Sequence, residues 1–239
     1  MGKLWFDGRC CSDFGIVATG SGTYNAPERD RDIVSVAGRN GDLTFDKGRY
    51  KNISVSYPVS ICKNFSENAR VARNWMLSRI GYKRLEDDYH PETFRMAMFE
   101  GPVDFDVKFL NRSGEAKLIF NCKPQRFLKS GEYPVTFSSN GILHNPTMCE
   151  ALPLITVYGA GAGFINVGGT AVTIKEMTDI LILDCESQNA YRQVGEGASQ
   201  NKNDTIYAPE FPVLSSGDNV VSFSGGVTKV EIVPRWWEL

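Results

Sequence analysis

The chain has 239 residues, of which 42% are hydrophobic and 23% charged, and its formal net charge is −2 at pH 7. This length allows one large or two modest domains, each with its own core. Because Lys and Arg are scattered and the charge is close to neutral, binding driven by nucleic-acid phosphates is excluded as a main activity. No apolar run is long enough to span a membrane, so no membrane partner is expected.

The beginning of the sequence carries no targeting signal. Residues 1 to 8, Met-Gly-Lys-Leu-Trp-Phe-Asp-Gly, lack the apolar core of a signal peptide, and Phe6 stands where a myristoylation signal needs Ser or Thr. The six cysteines include no CxxC pair and lack the spacing of a disulfide framework. We therefore expect the protein to fold in a cytoplasm.

The first strong pattern is a hairpin near residue 40. Asp32 to Ala37 and Leu43 to Asp46 form its two arms, and Gly38 to Asp42 form the turn. Asn40-Gly41 is a strong hairpin signal because both residue types tolerate a positive φ. A hairpin that is not part of a larger sheet leaves backbone N–H and C=O groups unpaired along its outer edges, and a partner would have to cover them. An ordinary solvent-facing hairpin explains the pattern equally well.

One segment, residues 65 to 80, has the pattern of a helix. Asn64 or Ser66 can cap its first turn, and Gly81 can stop it. Trp75 lies within the segment and is expected in the core. The apolar stripe, with spacings of three and four, consists of Ala69, Ala72, Met76 and Ile80.

Most of the remaining patterns indicate strands. Residues 53 to 61 alternate apolar and polar positions, and Pro58 within them suggests a sheet edge or a bulge. Further strands are predicted at residues 95–99, 103–110, 115–122, 153–159, 163–167, 171–174 and 180–185. The sequence pattern changes at residues 122 to 131, which suggests a boundary between two modules of the chain. We therefore expect a first domain at 1–130 and a second at 131–239, with the turn spacing of a β-sandwich in the second.

The C-terminal segment reads as a closing hairpin. Val220 to Phe223 and Thr228 to Val233 are the strands, and Gly225-Gly226 permits the positive φ of a tight turn. Trp236 and Trp237 follow on opposite faces. The C-terminal segment is therefore expected to pack into a sheet or against a neighbouring molecule rather than to fray.

Candidate catalytic, metal-binding and cofactor-binding residues are weak. His90 and His144 lie in no HxxxH motif and read as surface or turn positions. The glycine run from 159 to 163 fails the GxGxxG pattern at Phe164, so a hairpin turn is favoured over a phosphate loop. Solvated positions or strand ends explain the acidic groups better than a glycosidase pair does: Glu86, Asp87, Asp88, Asp104, Asp106, Asp184 and Glu186. We expect no catalytic residue, no metal and no cofactor.

The chain resembles the distal tail proteins of phages, which are baseplate hub proteins of long-tailed, non-contractile phages infecting Gram-positive bacteria. The N-terminal part of the resemblance is Ala37 to Leu43, followed by Tyr50 to Asn52 and the strand to Tyr57. The later matching segments are Ile182–Glu186, Ala190–Tyr191, Asn201–Asn203, Phe211–Pro212, Gly217–Asn219 and Gly226–Leu239. The resemblance covers essentially the whole chain, and the order and spacing of these segments are more specific than any one of them.

The resemblance implies a mainly β fold with one helix. An N-terminal, β-sandwich-like ring domain would carry a protruding hairpin, and a galectin-like β-sandwich would follow. Six copies would form a ring through the hairpin, which acts as a belt between neighbours. The implied interface residues are Ile33, Val34, Val36, Arg39, Asn40, Gly41, Asp42 and Leu43.

The resemblance also implies a place in the virion and a set of partners. The ring would lie at the tail tip after assembly in the bacterial host cytoplasm. It would join the tail tube protein to the tail-tip (tail-associated lysin) protein, and a receptor-binding protein is a further candidate partner in host attachment. Genomic DNA would pass through the lumen without specific binding, and the protein would not be an enzyme.

Two other functions stay open on the sequence. A lectin-like module could bind host cell-wall carbohydrate through Tyr191, Trp236 or Trp237, although core or interface positions explain the tryptophans better. A cell-wall hydrolase could use an acidic residue such as Glu186. No carboxylate stands out by its context, which argues against the hydrolase.

Overall fold

The computed structural model describes residues 2–20, 24–108, 112–195 and 197–239. Within these residues β-strands dominate and one α-helix is present, which confirms the predicted fold class. The chain divides into two compact units, residues 1–126 and 127–238. The boundary lies inside the segment from 122 to 131, where the sequence suggested a change of module, but that segment is mostly strand rather than linker.

The first unit is built on one curled sheet, whose strand order is β2-β1-β7-β8-β10-β6-β3, with β9 paired to β10. Its elements are β1 (Leu4–Phe6), β2 (Arg9–Cys10), β3 (Ile16–Ala18), β4 (Arg29–Val34), β5 (Leu43–Tyr50), β6 (Ile53–Ile61), α1 (Phe65–Leu77), β7 (Lys83–Asp87), β8 (Thr93–Phe99), β9 (Asp106–Lys108) and β10 (Ser113–Leu128). Gly2 and Ala18 exchange two backbone hydrogen bonds of 3.1 Å, so the curl brings the start of β1 against the end of β3. The strand predicted at 103–110 is shorter, and its last two residues lie outside the described residues.

Aromatic side chains fill the inside of this curl. Phe120 meets Phe6 and Tyr57 edge to face, with ring centroids 5.2 and 6.0 Å apart. Trp75 of α1 stacks on Phe14 at 4.3 Å, which fixes the helix against the same core. Such ring pairs stabilise a core beyond the apolar area that they bury. The core position predicted for Trp75 is therefore confirmed.

Helix α1 ends three residues before the predicted end. Ala69, Ala72 and Met76 are buried as the stripe predicts, but Ile80 lies beyond the helix and is 89% exposed. The side chain of Asn64 caps no backbone N–H, because its own backbone is left-handed (φ 47°) instead of extended. No helix of the described residues is both long and apolar enough to cross a bilayer.

Pro58 lies in an interior strand, so the prediction of an edge or a bulge is wrong. Strand β6 pairs with β10 on one side and with β3 on the other. The proline is accommodated where β3 ends: Thr19 donates its backbone N–H to the Pro58 carbonyl at 2.9 Å. Pro58 has no N–H to return that bond, which limits the β3 ladder to residues up to Ala18.

The second unit is built on one nine-stranded sheet in which two long strands pair with each other. The strands of this sheet are β11 (Val135–Phe137), β12 (Gly141–Asn145), β13 (Leu154–Val167), β14 (Thr170–Ile174), β15 (Ile180–Asp184), β16 (Asn189–Gln193), β17 (Ser199–Asn201), β18 (Ile206–Tyr207) and β19 (Gly217–Val233), and a short strand outside it, β20 (Trp237–Glu238), follows. The first part of β13 pairs with β15, its last part pairs with β14, and β19 follows it throughout. One core cluster contains Ile155 and Val157 from the first part and Ile165 and Val167 from the last.

The two glycine-rich segments of this unit are bulges, so both predicted hairpin turns are wrong. β13 and β19 are each continuous, and their register shifts between Tyr158 and Gly163, opposite Gly225 and Gly226. A Cβ at Gly226 would overlap the carbonyl oxygen of Ala160, so only glycine allows this close backbone approach. Glycine serves a turn and a bulge equally well, and the local sequence does not distinguish the two.

Candidate assembly surface: the β4–β5 hairpin

Strands β4 and β5 form a hairpin that stands outside both sheets. They pair with each other in antiparallel fashion, and neither pairs with any other strand of the described residues. The arms differ from those predicted, because β4 begins at Arg29 and β5 continues to Tyr50. The eight residues of β5 span roughly 26 Å. Both outer edges offer unpaired backbone groups, which natural proteins normally cover.

The loop at the end of the hairpin depends on two glycines. Residues 35 to 42 connect the strands, and Gly38 and Gly41 both have φ of 81°. A Cβ on either glycine would have no neighbour within 4 Å, so the backbone conformation rather than crowding selects glycine here. Asn40-Gly41 therefore lies in the connection, as predicted, but the connection covers residues 35 to 42 instead of the predicted 38 to 42.

The predicted contact residues of this loop are exposed. Arg39, Asn40 and Asp42 make no side-chain hydrogen bond or ion pair with the described part of the chain, although Arg39 donates its backbone N–H to Val36 at 3.2 Å. These side chains are therefore open to a partner, and their role in a ring contact stays a prediction.

Ion pairs hold the base of the hairpin together. The Asp30 side chain, 9% exposed, forms ion pairs with Arg49 at 2.7 Å and with Lys47 at 3.7 Å. Further cross-strand pairs are Arg29–Asp46 at 2.7 Å, Lys47–Asp32 at 2.8 Å and Lys51–Glu28 at 3.1 Å. The Arg49 hydrogen bond lowers the pKa of Asp30 despite its desolvation. Single exposed pairs contribute little, but a ladder of alternating charge fixes the register of two strands that have no sheet behind them.

The end of the hairpin nearer the loop carries exposed apolar side chains. Val34 pairs with Leu43 and Asp32 with Phe45, so Val34, Leu43 and Phe45 share one face, while Ile33 points to the other. Phe45 is 59% exposed, and Ile33, Val34 and Val36 are also exposed. Sequence reasoning missed Phe45, although its position in the predicted second arm could have identified it. Apolar side chains clustered on an isolated hairpin are typical of an interaction site.

The candidate sugar platform is largely buried. Trp236 is 5% exposed and belongs to the core of the second unit, so it offers no ring face for stacking on a sugar, and that part of the lectin hypothesis is wrong. Trp237 packs partly against the same core, and its Nε1 donates to the Glu150 carbonyl at 2.8 Å. Tyr191 lies in β16 opposite Ile182 and is partly exposed. The C-terminal segment is therefore packed, as predicted.

Asp184 and Glu186, which the sequence offered as a possible acidic pair, share one ion-pair partner. Arg235 Nη1 lies 2.7 Å from Asp184 and 3.4 Å from Glu186, so one guanidinium offsets one of the two negative charges. Burial acts to raise the pKa of Asp184, but hydrogen bonds from Arg235 and Ser187 outweigh it and leave that pKa below its usual value. Within the described residues, no group of three or more His, Cys, Asp or Glu side chains could hold a metal ion.

The two histidines have different surroundings. His144 is exposed on β12 and pairs with Asp218 at 2.7 Å. His90 lies in the turn between β7 and β8, as predicted, but its side chain is only 13% exposed and its ring packs on Tyr24. The prediction of surface or turn positions therefore holds for both, with His144 on the surface and His90 in a turn but largely covered.

No protein-family model and no curated protein matches the chain. Its fold, however, is similar to that of a phage Dit protein and to that of a chain from a phage baseplate. The Dit protein (gp 19.1) of phage SPP1, described as a paradigm of the hub adsorption apparatus in phages infecting Gram-positive bacteria, aligns over 100% of both chains with a TM-score of 0.74 and 10% identity. A chain of the phage P2 baseplate, in its activated conformation with Ca, aligns over 97% of both chains with a TM-score of 0.50 and 8% identity. This likeness of fold confirms the resemblance predicted from the sequence.

Proposed function

We propose that the protein is a structural component of a phage tail, a distal tail or baseplate hub protein that assembles into a ring of six copies. The observation that carries the proposal is an exposed hairpin, paired only with itself among the described residues, on a chain that has the fold of baseplate hub proteins. The proposed function is structural rather than catalytic, in keeping with the ion pairs that join Asp184 and Glu186 to Arg235.

The hairpin suits a head-to-tail contact between copies. Its apolar face, made of Val34, Leu43 and Phe45, would be buried against the next subunit, and its open backbone edges would pair with a strand there. The ion pairs at the base hold the arm in shape before binding, which reduces the entropy lost on association. A contact between two different surfaces of the same chain is heterologous, and it closes into a ring when the rotation between copies allows closure.

The proposed ring has a partner on each side. One face would continue the tail tube, and the other would hold the tail-tip protein and, through it or directly, a receptor-binding protein. DNA would pass through the central opening, and the scattered basic residues with a net charge of −2 fit a lumen that does not bind it specifically. The ring would be assembled in the bacterial host cytoplasm and would function at the tail tip of the virion.

Mass and shape of the purified chain test this proposal. Six copies of a 26.5 kDa chain give six times that mass, about 159 kDa, by native mass spectrometry or light scattering. Negative-stain images are expected to show rings with an open centre. A strict monomer at high concentration that also fails to assemble on the ends of tail tubes would refute the proposal.

A further inference from the structure

The chain contains two Asn-Gly pairs, Asn40-Gly41 and Asn140-Gly141. Such a pair can modify itself in water, because the backbone nitrogen of the glycine can attack the side-chain carbonyl carbon of the asparagine. Asparagine is therefore a thermolabile residue type, and a following glycine hinders this attack least because it has no side chain. On sequence alone the two pairs are equally reactive, and only their surroundings in the fold distinguish them.

Asn40-Gly41 has the freedom that this attack needs. Both residues are exposed in the loop between β4 and β5. Within the described part of the chain, the Asn40 side chain makes no hydrogen bond, and the Gly41 backbone N–H donates to no carbonyl. A Cβ at Gly41 would meet no atom within 4 Å. The side-chain amide and the attacking nitrogen can therefore rotate toward each other without breaking a contact.

Asn140-Gly141 is held in place, although Asn140 is also exposed. Asn140 Oδ1 accepts a hydrogen bond from the backbone N–H of Phe223 at 3.1 Å. Gly141 is the first residue of β12 and pairs with Val221 of β19. The ring of Phe137 covers Gly141, since a Cβ there would lie 2.9 Å from two ring atoms. The attack at Asn140 therefore requires the start of β12 to detach from β19 first.

We propose that Asn40-Gly41 is a site of spontaneous modification in the native protein, where the asparagine becomes aspartate or iso-aspartate with water as the only co-reactant. The Gly41 nitrogen forms a bond to Asn40 Cγ, the Cγ–Nδ2 bond breaks, and Nδ2 leaves as ammonia with the proton from the Gly41 nitrogen. Water then opens the cyclic imide. Cleavage of the new Cγ–N bond gives aspartate, and cleavage of the original peptide C–N bond gives iso-aspartate.

The modification changes the loop of the hairpin in both charge and shape. Residue 40 gains a negative charge two positions before Asp42. Iso-aspartate also carries the main chain through its side chain, which adds one methylene group to a loop that depends on the positive φ of Gly38 and Gly41. The reaction itself needs no ring. Its effect on the contact between copies rests on the proposed function, because only a loop that contacts a neighbour brings the new charge into an interface.

Peptide mapping by mass spectrometry tests the site, after incubation of the purified chain at high dilution and mildly alkaline pH. Conversion of the amide to a carboxylate increases the mass of the peptide, and iso-aspartate separates from aspartate by chromatography. Asn140 is the internal control. Because two strand-end contacts have to open before it reacts, Asn40 is expected to convert at least roughly tenfold faster in the native chain. In guanidinium chloride, which removes the fold, both pairs are expected to convert at similar rates.

Asn40→Gln is the matched variant. Gln keeps a neutral amide in the exposed loop but has to close a larger ring that forms more slowly, so conversion at residue 40 is expected to disappear. Equal conversion of Asn40 and Asn140 in the native chain overturns the proposal, and so does an unchanged Asn40 under conditions where the unfolded chain converts both. These readouts do not depend on oligomeric state, so a chain that forms no ring still confirms or overturns the site.

Discussion

Phe45 offers the sharpest test of the hairpin as an assembly surface. The substitution Phe45→Ser removes an aromatic ring from the face that Phe45 shares with Val34 and Leu43, while leaving the cross-strand hydrogen bonds and the ion pairs at the base in place. Because the ring is 59% exposed in the single chain, its removal is expected to affect folding little. Its main effect is expected on the contact between copies.

The exposed part of the ring sets the size of the effect. An aromatic side chain buries about 150–250 Å² in all, so roughly 90–150 Å² of Phe45 stays available for burial against a neighbour. At about 25 cal/mol per Å², complete burial contributes on the order of 3 kcal/mol to each contact. The loss therefore weakens each contact roughly a hundredfold. A ring contains one such contact per subunit, so the ring is expected to give way to smaller species at micromolar concentration.

Light scattering over a concentration series, together with thermal melting, measures this effect. Ile80→Ser is the matched control, because Ile80 is 89% exposed in the same unit but lies outside the hairpin. The expected result is an unchanged melting temperature for both variants and loss of the ring in Phe45→Ser alone. If Phe45→Ser assembles like the wild type, or if Ile80→Ser disrupts the ring instead, the apolar face of the hairpin is not the contact surface.

Three further predictions concern stability. Gly226→Ala places a methyl group against a backbone carbonyl of the facing strand, so it should destabilise the second unit by about 1–3 kcal/mol and lower its urea midpoint. Tyr57→Phe removes the hydroxyl that donates to Asp87 and should cost about 1–3 kcal/mol in chemical unfolding, with unchanged β-sheet circular dichroism as the check on fold. Because the pKa of Asp184 is lowered in the folded chain, its ion pair with Arg235 stabilises the fold above the ordinary Asp pKa. That contribution is lost as the pH falls through the folded-state pKa, and Arg235→Met should reduce this loss in acid melting curves.

The sequence predicted features that depend on residues close together in the chain. The alternation at residues 53–61 gave β6 with its observed bounds, and the apolar stripe gave α1 to within three residues at its C-terminal end. The hairpin was found from Asn40-Gly41, but its arms were misjudged. The arms contain many charged residues, which are weak strand formers, so residues 29–31 and 47–49 gave no strand signal in the sequence. Only the structure shows the ion pairs that join these residues across the two strands.

Other errors arose where two distant segments meet. Trp236 shows this, because its burial depends on the core of the second unit rather than on its neighbours in sequence. A sequence pattern shows which residues of a strand or helix share a face. Whether that face is buried depends on the segment that packs against it.

By itself, the sequence determined that the chain is mainly β with one helix, that it has a hairpin near residue 40 and that it resembles baseplate hub proteins. These properties follow from local periodicity, turn chemistry and the order of short motifs. Only the tertiary structure decided that Gly159 to Gly163 and Gly225–Gly226 are facing bulges rather than turns. The physical reason is that a glycine pair supplies backbone freedom, and the strand lying opposite determines whether that freedom reverses the chain or bends it.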